Sequence, residues 1–207
     1  MLTTIDYAIA ALVGFLVGLL AIPTVLNVGV REALLVALLP WVFAPLFALG
    51  VWLGGVLGRR FAPFTQFGKF VAVGSLNTAL DFAILNLLSA ASGVTAGFLV
   101  GGVNVPGFLI AVTNSYFWNK YWVFRQSASG TFTHDFPRFF GVTLVGLLVN
   151  SGIVVAMTTL ILSPFEDPTR WLNIAKVFAT LISLVWNFAG YRLFVFRRQE
   201  PPSEVMR

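Results

Sequence analysis

Long apolar runs separated by short polar turns cover most of this chain of 207 residues. A helix rises ~1.5 Å per residue, so runs of roughly 20 to 25 residues span a hydrocarbon core of about 30 Å. The short-period alternation that membrane β-strands require is absent. The pattern predicts an all-α polytopic membrane bundle of six transmembrane helices, at about 5–28, 33–57, 70–91, 95–118, 138–162 and 172–191.

Composition supports the membrane assignment, because 58% of the residues are hydrophobic and only 10% are charged. Soluble domains carry about 25% charged residues, so this chain could not cover a water-facing surface. The absence of cysteine and the presence of a single histidine exclude disulfides and leave little for a metal site, so we expect no cofactor. The net charge of +5 favours anionic membrane lipids as partners, and not nucleic acid.

The basic residues are distributed unevenly between the two predicted faces. Three lie on one face, and ten of the 13 lie on the other: Arg59, Arg60, Lys69, Lys120, Arg125, Arg138, Arg192, Arg197, Arg198 and Arg207. Lysine and arginine accumulate on the cytoplasmic side of membrane proteins. We therefore expect both termini to face the cytoplasm, in the inner (plasma) membrane.

Two apolar runs close on similar basic and aromatic segments. The first cuff is Asn114–Arg125, NSYFWNKYWVFR, and the second cuff is Asn187–Arg198, NFAGYRLFVFRR. Their endings align without a gap, with Lys120 opposite Arg192 and Arg125 opposite Arg197. This duplication predicts that the chain carries two copies of one structural unit.

The helices that precede the cuffs repeat as well. Lys69 and Arg138, each followed by phenylalanine, open the third and fifth predicted helices, and Asp81 then falls opposite Asn150. Each two-helix unit crosses the membrane twice, so the repeats are parallel. The sequence thus predicts an appended hairpin at 1–60, a linker at 61–68, a four-helix core at 67–198, a polar loop at 126–135 and a disordered tail at 199–207.

Together these motifs resemble the GtrA-like family of small membrane proteins. They are Lys69-Phe70 with Gly74, Asn77 and Asp81, the Asn119–Arg125 segment, Arg138-Phe139, and Lys176 followed by Asn187 and the R-x-F-V-F-R ending. The resemblance covers about 67–198 and implies a role in moving or presenting polyprenyl-phosphate-linked sugars for cell-envelope glycosylation. The chain departs from the family in its two extra helices and in Tyr191, where the analogy with Asn119 suggests asparagine.

Asp81 is the one acid deep in an apolar run. It lies about 12 residues beyond Lys69, or ~18 Å along a helix, where a charge costs about 2.5–3.5 kcal/mol. We expect Asp81 to have a partner, and Asn77 lies one turn away on the same face. With Asn150 these residues form either a polar cavity that binds sugar or couples a proton, or a structural hydrogen-bond network.

The cuffs supply the chemistry that a lipid phosphate requires. Cations at headgroup depth bind phosphate, and amides can donate to phosphate or sugar oxygens. The predicted phosphate ligands are Lys120, Arg125, Arg192 and Arg197, with Asn119 and Asn187. The predicted contacts to an isoprenoid chain or sugar are Trp118, Tyr121, Trp122, Phe124, Phe194 and Phe196. A positive-inside stop with an aromatic belt would look similar, but the duplication favours a two-part phosphate clamp.

Lys176 lies on the face that carries few basic residues. It either receives a phosphate there or pairs with Glu166 or Asp167. No nucleophile elbow, P-loop or dinucleotide fingerprint is present, so we expect no enzyme activity.

The resemblance, taken with the paired cationic cuffs, implies a flippase, or a flippase component, for polyprenyl-phosphate-linked sugars. One alternative is an adaptor that recruits a membrane glycosyltransferase through the first two helices and their glycine ladders, Gly14 with Gly18 and Gly50 with Gly54 and Gly58. The other alternative is a small proton-coupled exporter built around Asp81. A homodimer is a further expectation, since four core helices enclose little space.

Overall fold

A computed structural model describes residues 2–27, 31–92, 98–125, 130–162 and 168–196. Every regular element in these ranges is helical, which confirms the predicted fold class. The six α-helices are α1 (Thr4–Asn27), α2 (Ala33–Gly58), α3 (Pro63–Ser92), α4 (Phe98–Trp118), α5 (Phe132–Leu160) and α6 (Pro168–Gly190). Two short π-helical turns follow, π1 (Asn119–Val123) after α4 and π2 (Tyr191–Val195) after α6.

Four of the described segments are long and apolar enough to cross a membrane. They are Thr4–Leu26, Ala33–Gly58, Pro63–Leu88 and Phe132–Met157, and a shorter apolar segment is Leu181–Val195. The molecule is therefore a multi-pass membrane protein.

The chain forms two compact units, Met1–Arg125 and Gln126–Arg207, and each contains one of the predicted repeats. In the first unit α1 packs against α2 and α3, α2 packs against α3, and α3 packs against α4 and π1. In the second unit α5 packs against α6 and π2. The first two helices are thus packed on the first repeat.

The repeat helices begin earlier than the sequence predicts. α3 begins at Pro63 and α5 at Phe132, and these starts align in the same register as Lys69 with Arg138. The predictions that the third and fifth helices begin near Phe70 and Arg138 are therefore wrong, and the predicted linker and polar loop are partly helical. Proline suits the first turn of a helix because its missing N–H has no partner there. The basic residues lie inside the helices and do not mark their starts.

Glycines allow close contact between the appended helices and the repeat. A Cβ on Gly18 of α1 would lie 2.6 Å from the carbonyl oxygen of Leu39 in α2, and a Cβ on Gly54 would lie 3.1 Å from the Cα of Gly68. Gly14 and Gly58 also meet neighbouring helices, whereas Gly50 faces open space. Four of the five ladder glycines are therefore engaged inside the unit, which reduces the surface that the adaptor hypothesis requires.

Candidate functional site

Both cuffs end in the same unusual backbone turn. The N–H of Phe124 donates to the carbonyl oxygen of Asn119 at 2.8 Å, and the N–H of Phe196 donates to that of Tyr191 at 2.7 Å. The two turns occupy matching positions, because Asn119 aligns with Tyr191 in the register that relates the cuffs. The sequence repeat is therefore a structural repeat. π-helical turns are rare and occur frequently at functional sites.

The first cuff holds a buried carboxylate from α1. Oδ1 of Asp6 accepts hydrogen bonds from Nζ of Lys69 at 2.6 Å and from Nε1 of Trp122 at 3.1 Å. Oδ2 accepts from the backbone N–H of Thr3 at 2.8 Å and from the guanidinium of Arg125 at 3.4 Å. Asp6 is 0% exposed. Three donors of the repeat thus converge on one anion, and that anion belongs to the protein.

Asp6 is the main residue that the sequence analysis missed. Its partners include Trp122 and Arg125, which the sequence assigns to a lipid-linked sugar. The available signal was weak, because it consisted of an acid in the first turn of a helix that begins on the strongly basic face. The structure identifies this cluster as an ion-pair and hydrogen-bond network that joins α1, α3 and the first cuff.

The remaining polar residues of the first cuff are buried among their own neighbours. Nζ of Lys120 lies 3.0 Å from the hydroxyl of Tyr116 and 5.4 Å from the centre of its ring. Nδ2 of Asn119 donates to the carbonyl oxygen of Ser115 at 2.8 Å. Its buried Oδ1 has no hydrogen-bond partner within the described residues. Trp118 is half-buried and packs edge to face on the indole one turn later, with the ring centres 5.8 Å apart.

The aromatic residues of the cuffs separate into buried and exposed rings. Phe124 and Phe196 are 0% and 1% exposed, so they belong to the cores of their own units. Tyr121 and Phe194 are 66% and 60% exposed. Tyr121 is therefore the ring that the first cuff exposes to surrounding lipid, and Phe194 is the ring that the second cuff exposes.

In the second cuff, Tyr191 occupies the position equivalent to Asn119. Its ring stacks on Phe139 at 4.3 Å, and its hydroxyl is hydrogen-bonded to Oγ1 of Thr143 at 2.7 Å. The tyrosine therefore joins the second cuff to α5.

The cations of the second unit differ from those of the first. Arg138 and Arg192, the equivalents of Lys69 and Lys120, are exposed and half-buried, respectively. Neither side chain makes a hydrogen bond or an ion pair within the ranges that the structure describes. Among the predicted cationic phosphate ligands whose side chains the structure describes, Arg192 is thus the one without a protein partner.

A line of polar side chains lies between α3 and α4. Nδ2 of Asn114 donates to Oδ1 of Asn77 at 2.7 Å, so Asn77 pairs across the helices and not with Asp81. Oδ1 of Asp81 is buried without a hydrogen-bond partner among the described residues. A Cβ on Gly107 would lie 2.8 Å from that oxygen, so the backbone of α4 closes over Asp81.

The second unit has a related arrangement between α5 and α6. Nδ2 of Asn150 donates to Oγ of Ser183 at 3.3 Å. Oδ1 of Asn187 is buried against Gly146 and has no hydrogen-bond partner in the part of the chain that is described. Gly146 is the equivalent of Asn77 in the register that aligns Asp81 with Asn150. The polar line is therefore duplicated, with different residues in each copy.

Two predicted ligands cannot be placed in this geometry. Lys176 lies in α6, but its side chain is outside the described part of the molecule, and Arg197 lies outside the described residues altogether. Their roles stay predictions.

Comparison with known proteins identifies the family of the four-helix core. The GtrA/DPMS transmembrane-domain model matches residues 69–196. The chain belongs to the GtrA/DPMS family. This confirms the resemblance that the motifs indicate, and it places both π-helical turns and both polar lines inside the family domain.

One relative of this GtrA/DPMS protein is the uncharacterized membrane protein YngA of Bacillus subtilis (strain 168). The two are 30% identical over 131 residues, which cover 62% of this chain and 78% of YngA. No solved structure matches significantly. The hairpin α1–α2 precedes the residues that the family model matches.

Proposed function

We propose that this protein is a non-enzymatic translocase, or a translocase component, for polyprenyl-phosphate-linked sugars. The observation that carries the proposal is the duplicated cuff. Each copy places a cation, Lys120 or Arg192, one residue after the start of a π-helical turn at the end of a helix. A lipid phosphate needs charge-assisted donors at the depth of the lipid headgroups.

The first cuff supports anion binding directly, because its donors already converge on a carboxylate. Lys69, Trp122 and Arg125 surround the side chain of Asp6. Lys69 comes from α3, Trp122 from π1 and Arg125 from the residues just after π1, so this end of the first repeat can gather donors around an anion. Because Asp6 occupies that position, we assign the external phosphate to Arg192 in the second cuff.

Each unit carries a buried amide that supports binding of sugar hydroxyls, and Asn187 lies in the same unit as the phosphate ligand Arg192. Asn119 and Asn187 each carry a buried side-chain oxygen without a donor from the described residues. Buried acceptors are normally satisfied, so an orphaned oxygen indicates a missing donor. Sugar hydroxyls are donors of that kind, whereas phosphate oxygens are not.

The test is the rate at which a fluorescent polyprenyl-phosphate sugar crosses reconstituted vesicles. Arg192→Gln removes one charge-assisted hydrogen bond to phosphate, which is worth about 1.5–3 kcal/mol. We expect transport at subsaturating lipid to fall by roughly 10- to 150-fold.

The matched control is Arg31→Gln, which makes the same charge change at an exposed arginine on the opposite predicted face. It should transport at the wild-type rate. Equal rates for folded Arg192→Gln and Arg31→Gln would contradict the assignment of Arg192.

A proton-coupled exporter is the second candidate, and the orphaned oxygen of Asp81 supports it. Under this alternative, Asp81→Asn abolishes proton uptake on addition of a soluble substrate. Under the translocase proposal, lipid transport needs no proton uptake through Asp81. Wild-type proton uptake by folded Asp81→Asn on addition of that substrate would eliminate the exporter.

A further inference from the structure

An apolar groove lies between α2 and α3 in the first unit. Its volume is about 420 Å³, which falls within the roughly 300–1,000 Å³ of ligand pockets. One wall comes from α2 between Leu46 and Leu57, and the other comes from α3 between Phe64 and Ser75. Most of the lining precedes Lys69, where the match to the family begins. The groove therefore depends on the added helix α2, which supplies one of its two walls.

Three glycines determine the shape of this groove. α2 and α3 approach closely where the Cβ position of Gly54 lies 3.1 Å from the Cα of Gly68. One turn earlier, no atom lies within 4 Å of the Cβ position of Gly50. Because Ser75 is the one polar side chain in the described lining, the groove offers nothing that would recognise a sugar.

Two arginines lie where the groove ends. Arg59 and Arg60 directly follow α2, and both are exposed. The guanidinium of Arg60 lies 5.5 Å from the ring centre of Phe61, which lies 6.2 Å from the ring of Phe64 in the groove wall. The apolar groove thus ends at two cations that have no acidic partner among the described residues.

We propose that this groove binds one hydrocarbon chain of an anionic phospholipid, with the lipid phosphate at Arg59 and Arg60. The combination of an apolar wall and a cationic end matches such a lipid in both charge and polarity. A transmembrane helix would fill the groove without using the arginines. A sugar-bearing carrier would need polar contacts that the lining lacks.

The groove and the charge are tested separately by native mass spectrometry of the detergent-purified full chain. The probes are phosphatidylglycerol, phosphatidylcholine and polyprenyl phosphate, each titrated alone. Gly50→Leu puts a side chain into the open space of the groove, and Arg59→Gln with Arg60→Gln removes the charge. The control is Gly74→Leu, which also enters open space but lies outside the lining.

The wild type should bind one phosphatidylglycerol at least tenfold more tightly than phosphatidylcholine. The double arginine variant should lose about tenfold or more in phosphatidylglycerol affinity, since each headgroup cation contributes about 1 kcal/mol. Gly50→Leu should lose about as much, because its side chain occupies the space of the hydrocarbon chain. Gly74→Leu should bind like the wild type, and all variants should keep the wild-type melting temperature to show that they fold.

Equal affinity for the two phospholipids, or unchanged binding by Gly50→Leu, would overturn the proposal. A change of oligomeric state in Gly50→Leu without loss of lipid would overturn it too, and would assign the groove to a second helix. Loss of polyprenyl phosphate binding in Gly50→Leu, with phosphatidylglycerol binding unchanged, would assign the groove to the transported lipid. None of these results depends on transport, so the site can fail while the proposed function stands.

Discussion

Replacing Asp6 by alanine tests whether one carboxylate holds the added helices to the repeat. The substitution removes the acceptor of Lys69, whose side chain is 6% exposed, and of the indole N–H of Trp122. Both donors then stay buried without the carboxylate that accepts their hydrogen bonds. Removing one partner of a buried ion pair costs about 3–5 kcal/mol, because an uncompensated charge is left behind.

This cost converts into a measurable melting shift. Chains of about 150–250 residues lose about 2–4 °C per kcal/mol, so Asp6→Ala should lower the melting temperature by roughly 6–20 °C. Arg125→Gln should cost no more than about 1 kcal/mol, because its contact to Asp6 is long, at 3.4 Å, and its side chain is 35% exposed.

The assay is thermal unfolding in detergent, followed by tryptophan fluorescence. The matched variant is Asp6→Leu combined with Lys69→Met, which replaces the pair by apolar side chains. Such replacements are often neutral, so the double variant should recover most of the lost stability. A shift below about 2 °C for Asp6→Ala, or a double variant as unstable as the single one, would refute the reasoning.

Three further experiments test other contacts of the fold by the same assay. In a double-mutant cycle, Asn77→Ala and Asn114→Ala should show a coupling energy of about 0.6 kcal/mol. Additive losses of stability would contradict the hydrogen bond between the two side chains. Gly18→Ala should cost about 1–3 kcal/mol of stability, whereas Gly74→Ala, in open space, should be neutral or stabilising. Equal effects of the two substitutions would contradict the close packing of α1 on α2 at Gly18. Tyr191→Phe removes the hydrogen bond to α5 and should cost about 0.5–1.5 kcal/mol, while an unchanged melting temperature would contradict that bond.

The helical architecture could be predicted from the sequence because hydropathy and helix length determine which segments span a membrane. The positions of helix starts could not, since Lys69 and Arg138 look like boundary residues but lie inside helices. A basic residue can snorkel from within a helix toward the interface, so its position does not fix the first turn.

The candidate site was predicted in part. The repeated cuffs could be found because their basic and aromatic spacing survives in both copies. The role of Asp6 could not be found, because its partners Lys69 and Trp122 are distant in the sequence and their contacts depend on how α1 packs. The π-helical turns left no sequence signal that distinguishes them from α-helix.

The most direct test of the central claim is binding of a polyprenyl-phosphate sugar to the wild type, Arg192→Gln and Arg31→Gln. Affinity is measured on the purified full chain, independently of transport. The account predicts a loss of about tenfold or more for Arg192→Gln and none for Arg31→Gln, since one charge-assisted hydrogen bond to phosphate is removed. Wild-type affinity in folded Arg192→Gln would contradict it.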